Sequence, residues 1–191
     1  MYSEKQKIRK QMLLLRDGMT REEVEFLSKE IIDRVYSMQQ FKESNLIMSY
    51  VNFRNEVKTV DFIDKCISLG KKVAVPKIVD TGEKRQEIIA VQITGVSHLA
   101  KGKFGILEPG EKNLAVIDPS CLDFIVVPGI AFDLNKNRLG FGKGFYDRFL
   151  SRTNTRCIKV GLAYEMQIIE SLPFSHYDIP LDFVVTEKRM L

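Results

Sequence analysis

Tryptophan is absent from this chain of 191 residues, histidine occurs twice and cysteine three times. His98 and His176 stand in no spacing that marks a catalytic triad, and Cys66, Cys121 and Cys157 are odd in number, far apart and never paired as C-x-x-C. These scarcities speak against a disulfide framework and a structural zinc site, and fit a reducing compartment. No window approaches the ~20 apolar residues that a membrane span requires, and charge begins at Glu4 with no apolar stretch behind it. A strong charge imbalance is missing too. Lys and Arg total 29 against 25 Asp and Glu, a formal net charge of +4. An excess that small belongs to an ordinary solvated surface, and binding to nucleic acid would need it clustered. The expectation is a cytoplasmic, monomeric protein with small-molecule partners, acting on neither membrane nor nucleic acid.

The chain has 45% hydrophobic residues, enough for one substantial core and a single domain spanning residues 1–191. Ile8, Met12 and Leu15 recur at helical spacing between residues 3 and 17, with Lys5, Arg9 and Arg16 along the edge of that stripe. Thr20 and Glu23 form a capping-box pattern ahead of a second helix whose inner face reads Val24, Leu27, Ile31, Val35 and Met38. Short runs rich in Val and Ile follow at 46–51, 72–76, 87–93, 124–127, 158–163 and 183–186, and read as buried strands. Helical segments at 60–69, stopped by Gly70, and at 145–151 lie between them. This alternation predicts a three-layer α/β fold, a Rossmann-like and largely parallel sheet with helices on both faces. Residues 95–113, broken by Gly102, Gly105, Pro109 and Gly110, read as a long surface loop with some local structure.

The chemistry concentrates between Arg138 and Arg148, in the run Arg-Leu-Gly-Phe-Gly-Lys-Gly-Phe-Tyr-Asp-Arg. It follows the strand at 124–127 and opens the helix at 145, the order of a phosphate-binding loop. Gly140, Gly142 and Gly144 let successive backbone N–H groups turn toward an anion, and Arg138 and Lys143 add full positive charge. Asp147, in the first turn of the helix, is a hard oxygen ligand placed where Mg²⁺ could be held against bound phosphates. The spacing matches neither the G-x-x-x-x-G-K-[ST] P-loop nor the G-x-G-x-x-G dinucleotide loop. Taken alone, a tight glycine turn with an aspartate that complements the helix dipole explains a bare G-x-G-x-G about as well.

With its neighbours the segment resembles the signature of the 5-formyltetrahydrofolate cyclo-ligase family, R-x-G-x-G-x-G-Y-Y-D-R. The likeness continues through Lys5-x-x-Ile8-Arg9, Asn55-Glu56-Val57, Gly105-Ile106-Leu107-Glu108-Pro109, Val127-Pro128-Gly129 and Asp178-Ile179-Pro180-Leu181-Asp182. The resemblance implies ATP as co-substrate and Mg²⁺ as cofactor, with 5-formyltetrahydrofolate closed to 5,10-methenyltetrahydrofolate and ADP and phosphate released. It implies ATP contacts from Lys5, Arg9, Arg138, Gly140, Gly142, Lys143, Gly144, Phe145 and Tyr146, with Arg138 and Lys143 serving catalysis. It implies substrate contacts from Val51, Glu56, Phe104, Phe141 and Phe145, and magnesium at Asp147 and Asp178. The chain departs from the family pattern at Phe145, where the family commonly has Tyr: the stacking surface stays and a hydroxyl is lost. Two other readings stand beside this one, a different reaction on the same scaffold and a basic nucleotide- or RNA-binding protein without catalysis.

Overall fold

The computed structural model describes residues 2–82, 86–102, 105–110 and 114–191. The chain opens with α1 (Tyr2–Asp17) and α2 (Arg21–Ser37), and the Thr20/Glu23 capping box predicted between them is formed in both directions. A short α3 (Gln39–Glu43) leads into β1 (Leu46–Ser49), followed by α4 (Val60–Ser68), β2 (Lys72–Asp80) and β3 (Gln86–Ile93). The segment read as a loop contains a small antiparallel pair, β4 (Leu99–Lys101) and β5 (Leu107–Pro109). Next come β6 (Val116–Ile117), β7 (Phe124–Val127), β8 (Ala131–Asp133), β9 (Arg138–Leu139), α5 (Phe145–Leu150), β10 (Ile158–Leu162), β11 (Ile168–Ile169) and β12 (Phe183–Val185).

Seven strands form the central sheet in the order β12-β10-β7-β1-β2-β3-β6. The five from β12 to β2 are parallel, and β3 and β6 join antiparallel. The parallel strands are buried on both faces, so they carry continuous apolar runs: Phe124, Ile125, Val126 and Val127 all have 0% exposure. One core layer joins Ile31, Val35, Phe41, Phe62 and Ile63 of α2, α3 and α4 to Ile47, Phe124 and Val126. The opposite layer joins Phe149 and Leu150 of α5 to Met48, Ile125 and Val127. The alternation of Ile47 and Met48 between the two layers is the two-residue period of a strand with cores on both sides. The three-layer α/β expectation holds.

The α1 stripe differs from expectation. Leu15 is 46% exposed, whereas Arg16 is 2% exposed. The buried face follows Met12 to Arg16, one helical turn apart, because Arg16 has a carboxylate partner inside the protein in Glu56.

The chain steps from β1 to β2 on one side and later returns to set β7 on the other side of β1. Strand order therefore reverses between β1 and β7, and the crevice beyond their carboxyl ends is where an open parallel sheet offers a ligand site. A second, three-stranded sheet, β11-β8-β9, lies past that end. Its hairpin turn is built on Asp133, which is fully buried. One Asp133 oxygen accepts from the N–H groups of Asn135 and Asn137, each at 2.9 Å, and the other accepts from Asn137 Nδ2 at 3.0 Å and Leu172 N at 2.9 Å. This carboxylate fixes the turn that delivers Arg138. Asp133→Ala leaves four donors without their acceptor, so it should cost about 3 kcal/mol or more in urea unfolding.

Candidate functional site

Arg138 is the pivot of the crevice. Backbone pairing of Phe132 with Arg138 sets its position, and its side chain, only 4% exposed, turns toward the end of β7. Nη1 donates to the Pro128 carbonyl at 3.3 Å, Nη2 pairs with Asp147 Oδ1 at 2.8 Å, and the guanidinium lies 5.3 Å from the centroid of the Tyr146 ring. One cation thus ties together β7, β9 and α5.

The loop from Gly140 to Gly144 runs between these anchors. Gly142 has φ +94°, and a Cβ there would stand 3.3 Å from the Arg9 guanidinium, so both conformation and space call for glycine. Gly144, φ +62°, starts α5 in the left-handed region. α5 has only six residues, so its macrodipole contributes less than the sequence pattern suggests, and the cations and loop N–H groups carry the anion field. Two of those cations come from α1. Met12 packs with Ile130, Ala131, Leu139 and Leu172, which brings the start of the helix onto the loop. Arg9 Nε donates to the Gly140 carbonyl at 2.8 Å, and Lys5 Nζ pairs with Asp178 Oδ2 at 2.8 Å. Lys143 is exposed on the loop, its ammonium 5.6 Å from the Phe145 ring centroid, and Phe141 stands 62% exposed beside it.

The chain next to Asp178 reaches Asp147, since Ile179 N donates to Asp147 Oδ1 at 3.4 Å. Asp178 Oδ2 also accepts from Ser175 N at 2.9 Å. No group of three or more His, Cys, Asp or Glu gathers as a metal cage among the described residues. Two hard carboxylates suit Mg²⁺ all the same, because that ion commonly takes one or two protein oxygens and completes its shell with water and substrate phosphates.

The other wall is the segment after β1. Thr59 Oγ1 donates to the Tyr50 carbonyl at 2.7 Å and accepts from Asn52 N at 3.0 Å, while Asn55 Nδ2 donates to the carbonyls of Arg16 and Met19 at 3.0 and 3.2 Å. Val51, 3% exposed, belongs to the core, so any substrate contact from it falls to its backbone. Glu56 is 8% exposed, accepts from Phe53 N at 3.0 Å and faces Arg16 Nη1 at 3.8 Å. Burial raises its pKa above the ordinary value, and the Arg16 charge and the Phe53 N–H oppose that rise. Phe104 lies outside the described residues.

Glu56 and Tyr146 belong to a buried polar cluster that also takes in Arg16, Tyr50 and Tyr164, which no motif marked. Burial pushes the Tyr146 hydroxyl up, the Arg138 charge opposes this and Glu56 adds to it, which sets Tyr146 within electrostatic reach of both. Tyr50 and Tyr164 feel Glu56 and Arg16 in the same way. Among the described residues Tyr146 OH and Arg16 Nε are buried without a hydrogen-bond partner, as are the Nε atoms of Arg34, Arg138 and Arg148. What sets Arg16 and Tyr146 apart is that both lie near the buried Glu56 carboxylate, and that grouping offers a place for a polar ligand. Arg16 stands one turn after Met12, yet its charge reads as a solvent-facing edge until Glu56 is placed opposite it. Tyr50 and Tyr164 gave no signal, because only the fold sets residues 50 and 164 side by side. Burial pushes the Cys66 and Cys157 thiols up to about 12, so neither supplies a thiolate at neutral pH.

A crevice at the strand-order reversal, with a cation-lined glycine loop on one wall and a buried carboxylate on the other, defines an α/β enzyme that acts on a small-molecule substrate. The chain belongs to the 5-formyltetrahydrofolate cyclo-ligase family, whose model matches residues 1–187. A probable 5-formyltetrahydrofolate cyclo-ligase of Caenorhabditis elegans is 30% identical, with 98% of this chain and 94% of that protein covered. The solved structure of a 5,10-methenyltetrahydrofolate synthetase from Aquifex aeolicus is 38% identical with a TM-score of 0.84, covering 97% of this chain and 91% of that one. The corresponding structure from Mycoplasma pneumoniae is 25% identical with a TM-score of 0.76, covering 96% and 98%.

Tyr146→Phe removes a buried hydroxyl that has no partner. It should leave the free protein as stable or raise its unfolding free energy by on the order of 1 kcal/mol in urea titration, while weakening substrate binding.

The raised pKa of Glu56 means that the folded state holds its proton to higher pH than the unfolded chain. Its stability contribution is fully present below the ordinary glutamate value and fades as pH rises through the folded value. Against Glu56→Gln, the wild type should therefore lose relative unfolding free energy as pH climbs above 4.5, measured by urea titration at stepped pH.

Proposed function

We propose that this chain, acting as a cytoplasmic single-domain monomer, closes 5-formyltetrahydrofolate to 5,10-methenyltetrahydrofolate with ATP, releasing ADP and phosphate. The observation that carries the reading is the meeting of two unlike walls at one crevice. Arg9, Arg138 and Lys143 flank the glycine loop with Lys5 paired to Asp178, and Glu56 with Arg16 forms a buried polar pair within electrostatic reach of Tyr146. The first set suits the phosphates of a nucleotide and the second suits the hydrogen-bonding edge of a reduced pterin.

The reaction needs both. The oxygen of the N5-formyl group is a poor leaving group, so attack by N10 on the formyl carbon does not readily expel it. Transfer of the γ-phosphoryl group to that oxygen turns it into phosphate, N10 then bonds to the carbon, and phosphate departs as the ring closes. The protein's part is alignment and fixed charge. Lys5, Arg9 and the loop N–H groups hold the phosphates, and Arg138 and Lys143 face the charge that grows on the transferring group. Glu56 accepts from the pterin amino and ring N–H groups. A ligand there also recovers part of the cost of burying that carboxylate. Phe141 and Phe145 offer stacking surface. Asp147 and Asp178 would hold Mg²⁺, which supplies neutralisation of phosphate charge when bound.

Purified protein given 5-formyltetrahydrofolate and MgATP should develop the near-ultraviolet absorbance of the methenyl product, and should fail to do so when ATP or magnesium is left out. Lys143→Ala should lower turnover roughly 10²-fold with the fold intact by circular dichroism. Absence of product from the folded wild type would overturn the assignment, and near-normal turnover of the variant would remove Lys143 from it.

A further inference from the structure

A pocket of about 230 Å³ lies between α5 and β3. Its lining comprises Glu87 and Ile88 of β3 and, from α5 onward, Phe145, Arg148, Phe149, Ser151 and Arg152. Arg148 is immobilised there: Nη1 donates to the Lys143 carbonyl at 2.9 Å, Nη2 to the Gln86 carbonyl at 3.2 Å, and the guanidinium stands 5.5 Å from the Phe145 ring centroid. Both acceptors are neutral. No carboxylate pairs with Arg148 among the described residues, and its Nε is buried without a partner. Arg152 adds a second cation, bonded to the Ile88 carbonyl at 3.1 Å and only loosely paired with Glu87 at 3.8 Å. A guanidinium held rigid by backbone carbonyls and lacking a counter-ion is prepared for an anion, and its fork geometry favours a carboxylate or phosphate.

The pocket's place narrows the choice. Met48 of β1 lies level with Ala74, whereas β2 runs on to Asp80, which pairs with Gln86. The β2–β3 ribbon thus projects beyond the carboxyl end of β1 and sets the pocket at the same edge of the sheet as the crevice. Phosphates have cations of their own in Lys5, Arg9 and Arg138, while Arg148 is committed to β3 through Gln86. We propose that the pocket is a subsite for a carboxylate of the substrate's glutamyl tail, with Arg148 as its primary anchor and Arg152 as a secondary one. The proposal rests on the cyclisation reading and extends it to the far end of the same substrate.

The test compares 5-formyltetrahydrofolate with its glutamyl diamide, which keeps the size of the tail and removes both charges. In the wild type, kcat/KM should be about 10-fold higher for the charged tail, the effect of one charge-assisted hydrogen bond. Arg148→Gln should abolish that preference by raising KM for the charged substrate alone, and Arg152→Gln should reduce it in the same direction. KM for ATP should stay within about twofold in Arg152→Gln, whose side chain bonds to β3 and not to the glycine loop. Equal losses for both substrates would mean that Arg148 only props the loop at Lys143. A rise confined to the KM for ATP would assign the anion to the nucleotide. Either outcome overturns the subsite, as does a wild type that turns over both substrates equally well. A folded wild type that turns over neither would sink the cyclisation reading and the subsite together. Should Arg148→Gln fail to fold, the Arg152→Gln comparison decides by the same criterion.

Discussion

The guanidinium of Arg138 sits where three parts of the chain must meet. It is almost fully buried, and its partners are the Pro128 carbonyl after β7, the Asp147 carboxylate in the first turn of α5 and the face of the Tyr146 ring. A buried cation is costly unless it is paired and hydrogen-bonded, so the geometry around it is tightly specified. That specification propagates. Asp133 pins the hairpin that delivers Arg138, the Arg138–Asp147 pair orients α5, and between them the glycine loop is held at both ends. The loop itself can then stay open toward solvent, with Phe141 and Lys143 exposed, while its framework remains fixed.

The polar groups around Glu56 are left under-satisfied. Glu56 and Arg16 are buried together at 3.8 Å, a separation too long for a hydrogen bond, and Arg16 Nε, Tyr146 OH and the nearby Arg138 Nε have no partner among the described residues. A core built only for stability would exclude these groups or complete their hydrogen bonds. Here they are kept in place by neighbours whose own bonds are complete, such as Tyr50 OH on the Val57 carbonyl and Thr59 on the Tyr50 carbonyl. The enclosed cluster is rigid and under-satisfied, the state in which a ligand with matching donors and acceptors gains most from binding. Arg148, on the far side of Phe145 in sequence, shows the same device with an unpaired charge in place of unpaired hydrogen-bond donors.

Elements whose signals are local were legible without a structure. The Thr20/Glu23 box starts α2, Gly70 ends the turn after α4 at φ +77°, and the unbroken apolar run at 124–127 is a strand with cores on both faces. The short strands β8, β9 and β11 were not legible: they form because Asp133 and the end of β7 bring their backbones together, and none has an internal period to read. Leu15 was misread for a related reason. Periodicity treats an arginine as solvent-facing, and only the presence of Glu56 across the interior reverses the choice between Leu15 and Arg16.

The sequence by itself determined the alternation of strands and helices, the glycine loop with its flanking cations, and the family, because each resides in residue types at short, fixed spacings. Tertiary structure alone decided that Arg9, more than a hundred residues before that loop, bonds to it, that Lys5 pairs with Asp178, that Ile179 bonds to Asp147, and that Arg16 and Glu56 are buried facing each other within electrostatic reach of Tyr146. The physical reason is that burial and pairing depend on which strands become neighbours. The reversal of strand order at β1 and β7, set by packing of the whole sheet, brings distant segments to a single crevice.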